Sequence, residues 1–309
     1  MYNPVDDIIP RKPEPEIEEL MNKLNVVISK FVDFGSNILK WDTEVKRTEA
    51  YNTPIMMSYR HFLELVDAIS ILITQSSVDP CKPLLRSMLE TYFSLAYMLE
   101  IDEANRGMSF LVWHIHKQIK AHMRNDSTSE MGKQLRKKLS DDKLTGNLKL
   151  PDYPESSMKI TALEATLQEP AYQQAEQEYQ RLRLSGERNP PWYRFYGGPK
   201  NIEEMANHLN MMALYDVVYR GWSGPIHGTD IIVGKATLSA DGSAEIFQLR
   251  HFGDVQEVAQ WTLSLSLMMF KLYIDKRLPA KTNDYAAWYQ TIREPFLRIS
   301  DKEPLIVVL

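Results

Sequence analysis

The sequence has a single cysteine, Cys81, among its 309 residues. One thiol excludes an internal disulfide and any metal site built from several cysteines, and it fits a reducing compartment. Glycine is also scarce, at 13 residues, which disfavours a turn-rich β-sandwich or barrel. Basic side chains do not outnumber acidic ones, since 36 Lys and Arg stand against 41 Asp and Glu for a net charge of −5. Nucleic-acid binding would therefore need a local basic patch.

Long apolar runs are absent as well. The longest apolar-leaning stretch, residues 261–270, is shorter than the roughly 20 residues that a membrane-spanning helix needs. Residues 1–13 contain several prolines but neither the basic nor the apolar region of a signal peptide. We expect an extended N-terminal arm over 1–13, no membrane partner and a cytoplasmic location.

Helical periodicity is what the sequence does contain. Apolar residues recur at helical spacing over about 14–41, 53–75, 80–102, 104–124, 203–222, 254–277 and 282–299. Between them, the segment 126–199 is polar and rich in loop signals around short helical pieces. Two β-leaning runs flank Asp241 and Gly242, which indicates a hairpin.

These patterns predict an all-α fold. A helical bundle would be formed by 14–125 and 200–309, with 126–199 as a mostly helical insertion and one small β-hairpin near 235–250.

Signatures of the common enzyme classes are missing. The sequence has no Walker A loop, no GxGxxG after a strand, no HExxH, no CxxC pair and no GxSxG elbow. His114 and His116 are spaced i, i+2, which places them on different sides of a helix and predicts surface or packing roles rather than shared metal ligation. We therefore predict no metal and no cofactor.

Arg86 and Glu90 stand four residues apart on an otherwise apolar helix. This spacing places both on one face, where Ser87 and Ser94 continue a polar stripe. Because a buried charge is costly unless it is paired, two interpretations are open. Either the two side chains only satisfy each other, or the stripe faces a polar pocket in which Glu90 orients a catalytic or ligand-binding group.

A second polar group lies in the run YDVVYRGWSGPIHG, and its members are Tyr215, Tyr219, Arg220, Ser223 and His227. A Gly-Pro pair interrupts the helix before His227, so its imidazole can turn back toward the guanidinium of Arg220. In the alternative, Arg220 forms a helical ion pair with Asp216, four residues earlier, and His227 caps or packs.

Together, the motifs R-S-x-x-E and Y-x-x-x-Y-R-x-x-S-x-x-x-H-G resemble those of a mostly bacterial family of helical proteins catalogued as a domain of unknown function. Members of that family resemble the HEPN superfamily, which is marked by an arginine followed four to six residues later by a histidine. Arg220 and His227 have six residues between them. The resemblance covers about half of the chain, over 50–125 and 190–275. It does not extend to HEPN toxins paired with nucleotidyltransferase antitoxins, which have tyrosine where this chain has Thr229.

The resemblance implies a metal-independent endoribonuclease of a bacterial antiviral defence or toxin system, acting on RNA as a homodimer. His227 would then be the general base or acid and Arg220 the phosphate stabiliser, with Ser223 and Glu90 in support. Further supporting residues would be Arg86, Tyr215 and Tyr219. Histidine and arginine suit attack of a ribose 2′-hydroxyl on its own phosphate, which leaves a 2′,3′-cyclic phosphate and a 5′-hydroxyl. The alternative is a non-catalytic module that binds a nucleotide, RNA or protein and regulates another effector of the same defence locus.

Two stretches of the insertion are candidates for contacting RNA. Lys137 and Lys138 belong to a basic run, for which a merely solvated face is the alternative. Trp192 and Arg194 lie in the run WYRFYGG, where aromatic rings either stack on bases beside a cation or anchor a loop.

Overall fold

The computed structural model describes residues 5, 8–10, 14–222, 235–238 and 242–300. These residues are predominantly helical, which confirms the predicted all-α class. The chain divides into two compact units. The first unit consists of 1–47, 55–99 and 202–309, and the second consists of 48–54 and 100–201.

The α-helices of the described residues are, in chain order, α1 (Pro15–Glu44), α2 (Asn52–Thr74), α3 (Cys81–Glu100), α4 (Glu103–Asn125), α5 (Glu130–Asp141), α6 (Ser156–Leu167), α7 (Pro170–Leu184), α8 (Ile202–His208), α9 (Met212–Leu214), α10 (Val255–Arg277) and α11 (Thr282–Ser300). Short 3₁₀ segments cover Trp192–Gly197 and Pro279–Lys281, and α9 continues as a π-helical segment, Tyr215–Arg220. Within the described ranges, no helix is long and apolar enough to cross a membrane.

The first unit has its core between α1, α2, α3 and α10. Fully buried aromatic side chains fill it, including Phe31, Tyr59, Phe62, Phe93 and Phe270. Gly35 of α1 allows close packing there, because a Cβ atom would lie 2.6 Å from Leu63 Cδ1 and 2.9 Å from Phe270 Cζ. The burial of these aromatic side chains explains the apolar stripes of the helices that carry them.

A buried ion network joins the end of α1 to the end of α10. Asp42 is buried and accepts hydrogen bonds from Arg47 and from the hydroxyl of Tyr273, the latter at 2.8 Å. Arg277 also faces this carboxylate, with Nη2 3.8 Å from Oδ2. The two cations and the hydroxyl offset the cost of burying the charge.

The second unit is built around α4, against which α5, α6, α7 and the first 3₁₀ segment pack. Its core includes Val112, Ile115, Ile119, Tyr179 and Phe195. The polar segment 126–199 lies within this unit, but so does α4, which the sequence pattern assigned to the bundle segment 14–125. The apolar stripe of α4 explains the difference, because it packs on the helices that follow it.

The sequence predicts one continuous helix over 203–222, whereas the structure divides it after α8. Asn210 adopts a left-handed conformation with φ 56°. Its N–H donates to the carbonyl of Asn207 at 3.0 Å, and the N–H of Met211 donates to Ala206 at 2.8 Å. This bonding pattern is a Schellman motif, which ends a helix, and asparagine tolerates the required backbone better than most residues.

Two three-residue strands, β1 (Ala236–Leu238) and β2 (Ala244–Ile246), pair antiparallel with Ala236 opposite Ile246. The predicted hairpin stays a prediction, because residues 239–241, which would form its turn, lie outside the described residues. Most of the predicted arm 1–13 lies outside them too.

Candidate functional site

Arg86 of α3 connects the two sequence motifs. Its Nε donates to Oε1 of Glu90 at 3.3 Å, so the pair predicted from the sequence spacing forms. Its Nη2 donates to the hydroxyl of Tyr219 at 2.6 Å. The Arg86 side chain is 16% exposed and that of Glu90 is 40% exposed, so the arginine is much the better shielded of the two. The polar stripe of α3 therefore faces the π-helical segment.

Two arginines and two tyrosines contact one another in series, as an arginine–tyrosine stack of Arg86, Tyr219, Tyr215 and Arg220. The guanidinium carbon of Arg86 lies 3.9 Å from the ring centroid of Tyr219. The rings of Tyr219 and Tyr215 are stacked with centroids 4.8 Å apart, and Arg220 lies 5.3 Å from the Tyr215 centroid. Cation–π attraction supplements the hydrogen bonds in such an arrangement. Five of the predicted site residues, counting Glu90, are thus linked by direct contacts.

Arg220 forms ion pairs at the exposed end of this stack. Its Nη1 lies 3.0 Å from Oδ1 of Asp216, the pair that the alternative interpretation expected. Its Nη2 lies 2.9 Å from Oε1 of Glu203, a partner on α8 that the sequence analysis did not identify. The negative charge of Glu203, and to a smaller extent that of Asp216, raises the pKa of Arg220 above its ordinary value. At 56% side-chain exposure, the guanidinium remains accessible to solvent beside its two carboxylates.

Tyr219 is held in its protonated form. Burial raises its pKa, and the negative charge of Glu90 raises it further, while Arg86 acts in the opposite direction. A phenol that stays protonated can donate one hydrogen bond and accept another. The hydroxyl therefore suits a position between the guanidinium of Arg86 and the carboxylate of Glu90.

A π-helical segment, Tyr215–Arg220, carries three residues of the stack. Single π turns occur frequently at functional sites, because the extra residue re-aims the side chains that follow. The segment is succeeded by Gly221, where a Cβ atom would lie 2.3 Å from the carbonyl oxygen of Val217. Only glycine fits this backbone without a shift.

Ser223 and His227, which the sequence pattern proposes as supporting and catalytic residues, lie outside the described residues. Ser87, on the α3 stripe, uses its hydroxyl within the helix, where it donates to the carbonyl of Pro83 at 3.1 Å. It is a local hydrogen bond of the i, i−4 type.

The candidate RNA-contacting residues lie in the second unit and differ in accessibility. Lys137 and Lys138 are exposed on α5. Trp192 is only 4% exposed and packs near Phe110, with ring centroids 5.7 Å apart, so it anchors the chain and leaves little surface for a base. Arg194 donates to Glu187 at 3.1 Å and to the carbonyl of Gly198 at 3.0 Å, which holds the same turn in place.

Acidic and histidine side chains do not converge on a metal-binding geometry in the parts of the chain that the structure describes, since no group of three or more such residues meets there.

The fold and the site define a mainly helical protein in which an arginine–tyrosine stack joins α3 to a π-helical segment. The chain belongs to the Family of unknown function (DUF5677), whose model matches residues 52–241 and so includes both motifs. This match confirms the predicted membership of a domain-of-unknown-function family, while the HEPN resemblance stays a prediction. No curated protein and no solved structure matches the chain.

Proposed function

We propose that the protein is a HEPN-like, metal-independent endoribonuclease. The observation that supports this function is the arginine–tyrosine stack, which brings the R-S-x-x-E motif of α3 against the Tyr-Arg motif. Arg220 is at its solvent-exposed end, and Ser223 and His227 follow it in the sequence.

In the proposed reaction, the 2′-hydroxyl of a ribose attacks the adjacent phosphorus and the bond from phosphorus to the 5′-oxygen breaks. His227 removes the 2′ proton or donates a proton to the leaving 5′-oxygen. Arg220 stabilises the negative charge that develops on the phosphate oxygens, and Ser223 donates a hydrogen bond to the phosphate. Because Asp216 and Glu203 already hold Arg220, the RNA phosphate has to compete with both carboxylates.

Glu90 and Arg86 act through Tyr219 as positioning residues in this proposal. Their hydrogen bonds keep the stack in one arrangement, so that Arg220 is presented at a fixed place. The biological setting that we propose is a bacterial antiviral defence or toxin system in the cytoplasm, with a homodimer that brings two motifs together and a partner protein from the same locus.

Expression of the wild type and of His227→Ala in cells, followed by growth measurement and mapping of RNA ends, tests the proposal. We expect new ends with a 2′,3′-cyclic phosphate and a 5′-hydroxyl in the wild type. Loss of a general acid or base typically costs about 10²–10⁴-fold in rate, so His227→Ala should abolish these ends. Purified protein should retain cleavage in EDTA.

His61→Ala is the matched control, because His61 is an exposed histidine of the same unit and lies 3.7 Å from Glu64. It should cleave as the wild type does. Cleavage by His227→Ala at the wild-type rate, or intact RNA under every condition that produces a cellular phenotype, would overturn the ribonuclease proposal.

A non-catalytic binding module is the second candidate, and the two carboxylates on Arg220 favour it. In that case the arginine–tyrosine stack either forms a binding surface or only holds α8 and the π-helical segment together. Binding of RNA or a partner protein without cleavage, with loss of that binding in Arg220→Ala, would support this candidate over the first.

A further inference from the structure

A cleft of about 800 Å³ opens within the second unit, between α4, α6 and α7. Its lining combines an apolar part with polar and charged side chains, and its charged members include Lys120, Arg183, Glu164 and Glu176. None of the residues discussed for the proposed ribonuclease lines it. The spacing of His116 and Lys120 places both on one side of α4, where they face α7.

His116, which the sequence pattern gives only a surface or packing role, is a fixed member of this cleft. Its Nε2 lies 2.7 Å from Oε2 of Glu176, and its ring stacks on Tyr179 with centroids 3.8 Å apart. Gln180 donates to the other oxygen of Glu176 at 2.6 Å. The carboxylate of Glu176 is thus occupied by two donors, which leaves it poorly suited to neutralise the nearby cations.

Lys120 and Arg183 provide two positive charges to the cleft. Among the described residues, the hydrogen bonds of these two cations go to neutral oxygen atoms. Lys120 donates to the amide oxygen of Asn189, and Arg183 donates to the carbonyl of Arg188. Burial lowers the pKa of Lys120, and the positive charges of Arg183 and Arg124 lower it further. Lys120 is half-buried and Arg183 is exposed, and two neighbouring cations of this kind are stabilised when an anion binds between them.

The lining also has apolar members, among them Met123, Met131, Ala165 and Leu167. Methionine side chains adapt to ligands of irregular shape. A site with a cationic end and an apolar wall fits a small molecule that carries an anion on an apolar body. Two positive charges match a phosphate monoester, which has a charge of about −1.5 to −2 at neutral pH, better than they match a carboxylate.

We propose that the cleft between α4, α6 and α7 is a binding site for a small phosphate monoester with an apolar or aromatic body. Lys120 and Arg183 bind the phosphate, the His116–Glu176 pair fixes the wall beside it, and the two methionines contact the body. Glu164 opposes the anion from the same cleft. The proposal is independent of the ribonuclease function, because it rests on other residues in the other unit.

Isothermal titration calorimetry of the full chain at low ionic strength tests this site, with phenyl phosphate, inorganic phosphate and benzyl alcohol as probes. We expect phenyl phosphate to bind most tightly, inorganic phosphate more weakly, and the uncharged alcohol not at all. Lys120→Met and Arg183→Gln should each lower the affinity for phenyl phosphate by about tenfold or more, as expected for loss of a charge-assisted contact. Glu164→Gln should raise this affinity, because it removes a negative charge from the cleft.

Lys117→Met is the matched control, since Lys117 is an exposed lysine of the same helix that lies over the ring of Trp113. It should bind as the wild type does. Arg183 is exposed, so Arg183→Gln should keep the fold, which thermal unfolding of each variant checks. Absence of phenyl phosphate binding at millimolar concentration, equal binding of all three probes, or an equal loss in Lys117→Met would overturn the proposal.

Discussion

Arg86 joins three kinds of interaction at one guanidinium, which makes it the residue on which the arrangement of the stack depends. It donates to a carboxylate on its own helix and to a hydroxyl on the π-helical segment, and it lies over the ring of Tyr219. Glu90, its carboxylate partner, is more exposed, so solvent screens that part of the interaction. The contact with Tyr219 should therefore contribute more to stability than the ion pair.

This difference gives a prediction for three substitutions. Arg86→Met removes the hydrogen bonds and the cation–π contact and should lower the free energy of unfolding by about 2–3 kcal/mol. Tyr219→Phe removes the hydroxyl that accepts a hydrogen bond from Arg86 but keeps the ring, and it should cost about 1 kcal/mol. Glu90→Gln should cost less than about 1 kcal/mol, because the ion pair of Glu90 with Arg86 is partly exposed to solvent. Urea unfolding of the three variants measures these values, and a Glu90→Gln loss as large as that of Arg86→Met would contradict the order.

At the scale of elements, an ion network fastens the start of α3 to the start of α10. Lys82 Nζ lies 2.9 Å from Oδ1 of Asp79 and 2.7 Å from Oδ2 of Asp254. Lys235 and His251 approach the other oxygen of Asp79 at 3.5 and 3.7 Å. Burial alone would raise the pKa of Asp79, but the hydrogen bond and charge of Lys82, together with Lys235 and a protonated His251, lower it below its ordinary value.

A carboxyl whose pKa is lower in the folded than in the unfolded chain stabilises the fold above the unfolded pKa of about 3.9. That contribution is lost as the pH falls through the folded pKa of Asp79. We therefore predict that Asp79→Asn lowers stability at pH 6 and reduces the loss between about pH 4 and pH 2. Thermal unfolding across this range checks the prediction. Asp67→Asn, on the exposed face of α2, is the control and should keep the wild-type slope.

Asn210 gives a second prediction at this scale, because its left-handed backbone ends α8 ahead of α9. Asn210→Ala should destabilise the protein by about 1 kcal/mol. Alanine is strained at positive φ and lacks the polar side chain with which asparagine offsets that strain by local hydrogen bonds. Asn210→Gly should be nearly neutral or slightly stabilising, because glycine adopts this conformation freely. Chemical unfolding measures both variants, and each is the control for the other. An equal loss of unfolding free energy in the two would show that the left-handed backbone is not the cause of the destabilisation.

The helices of the first unit were predictable because their apolar residues recur at helical spacing and their burial follows that spacing. The break at Asn210 and the π-helical segment were not, because the residues of 203–222 also fit one uninterrupted helix. An extra residue in a π turn leaves no composition signal. Arg86 with Glu90 was predictable from the spacing, whereas Glu203 on Arg220 depends on the course of the chain through that break.

At the scale of the whole molecule, the sequence places α4 with the helices before it, whereas the structure places it in the second unit. Helical periodicity reveals which face of α4 is buried but not which partners cover it. His116 shows the same limit, because its partner Glu176 is 60 residues away in the sequence. The spacing of residues along the sequence predicts pairs within one helix, but it does not predict contacts between helices that are far apart in the sequence.

The charge of the whole chain leads to the last prediction. With a net charge of −5, the RNA binding that we propose would rely on a few local phosphate contacts, for which the exposed Lys137 and Lys138 of α5 are candidates. Each contact of a single strand contributes about −0.7 to the slope of log K against log salt. If both lysines contact phosphate, the double variant Lys137→Gln/Lys138→Gln should make the slope shallower by about 1.4.

Fluorescence anisotropy with a labelled single-stranded RNA measures that slope, in a His227→Ala background so that cleavage does not consume the probe. Lys159→Gln is the matched control, because Lys159 is an exposed lysine of the same unit that lies 3.7 Å from Glu155. Since that carboxylate already neutralises it, its removal should leave the slope nearly unchanged. An unchanged slope in the double variant, with RNA still bound, would mean that α5 makes no phosphate contact and that the binding charges lie elsewhere in the chain.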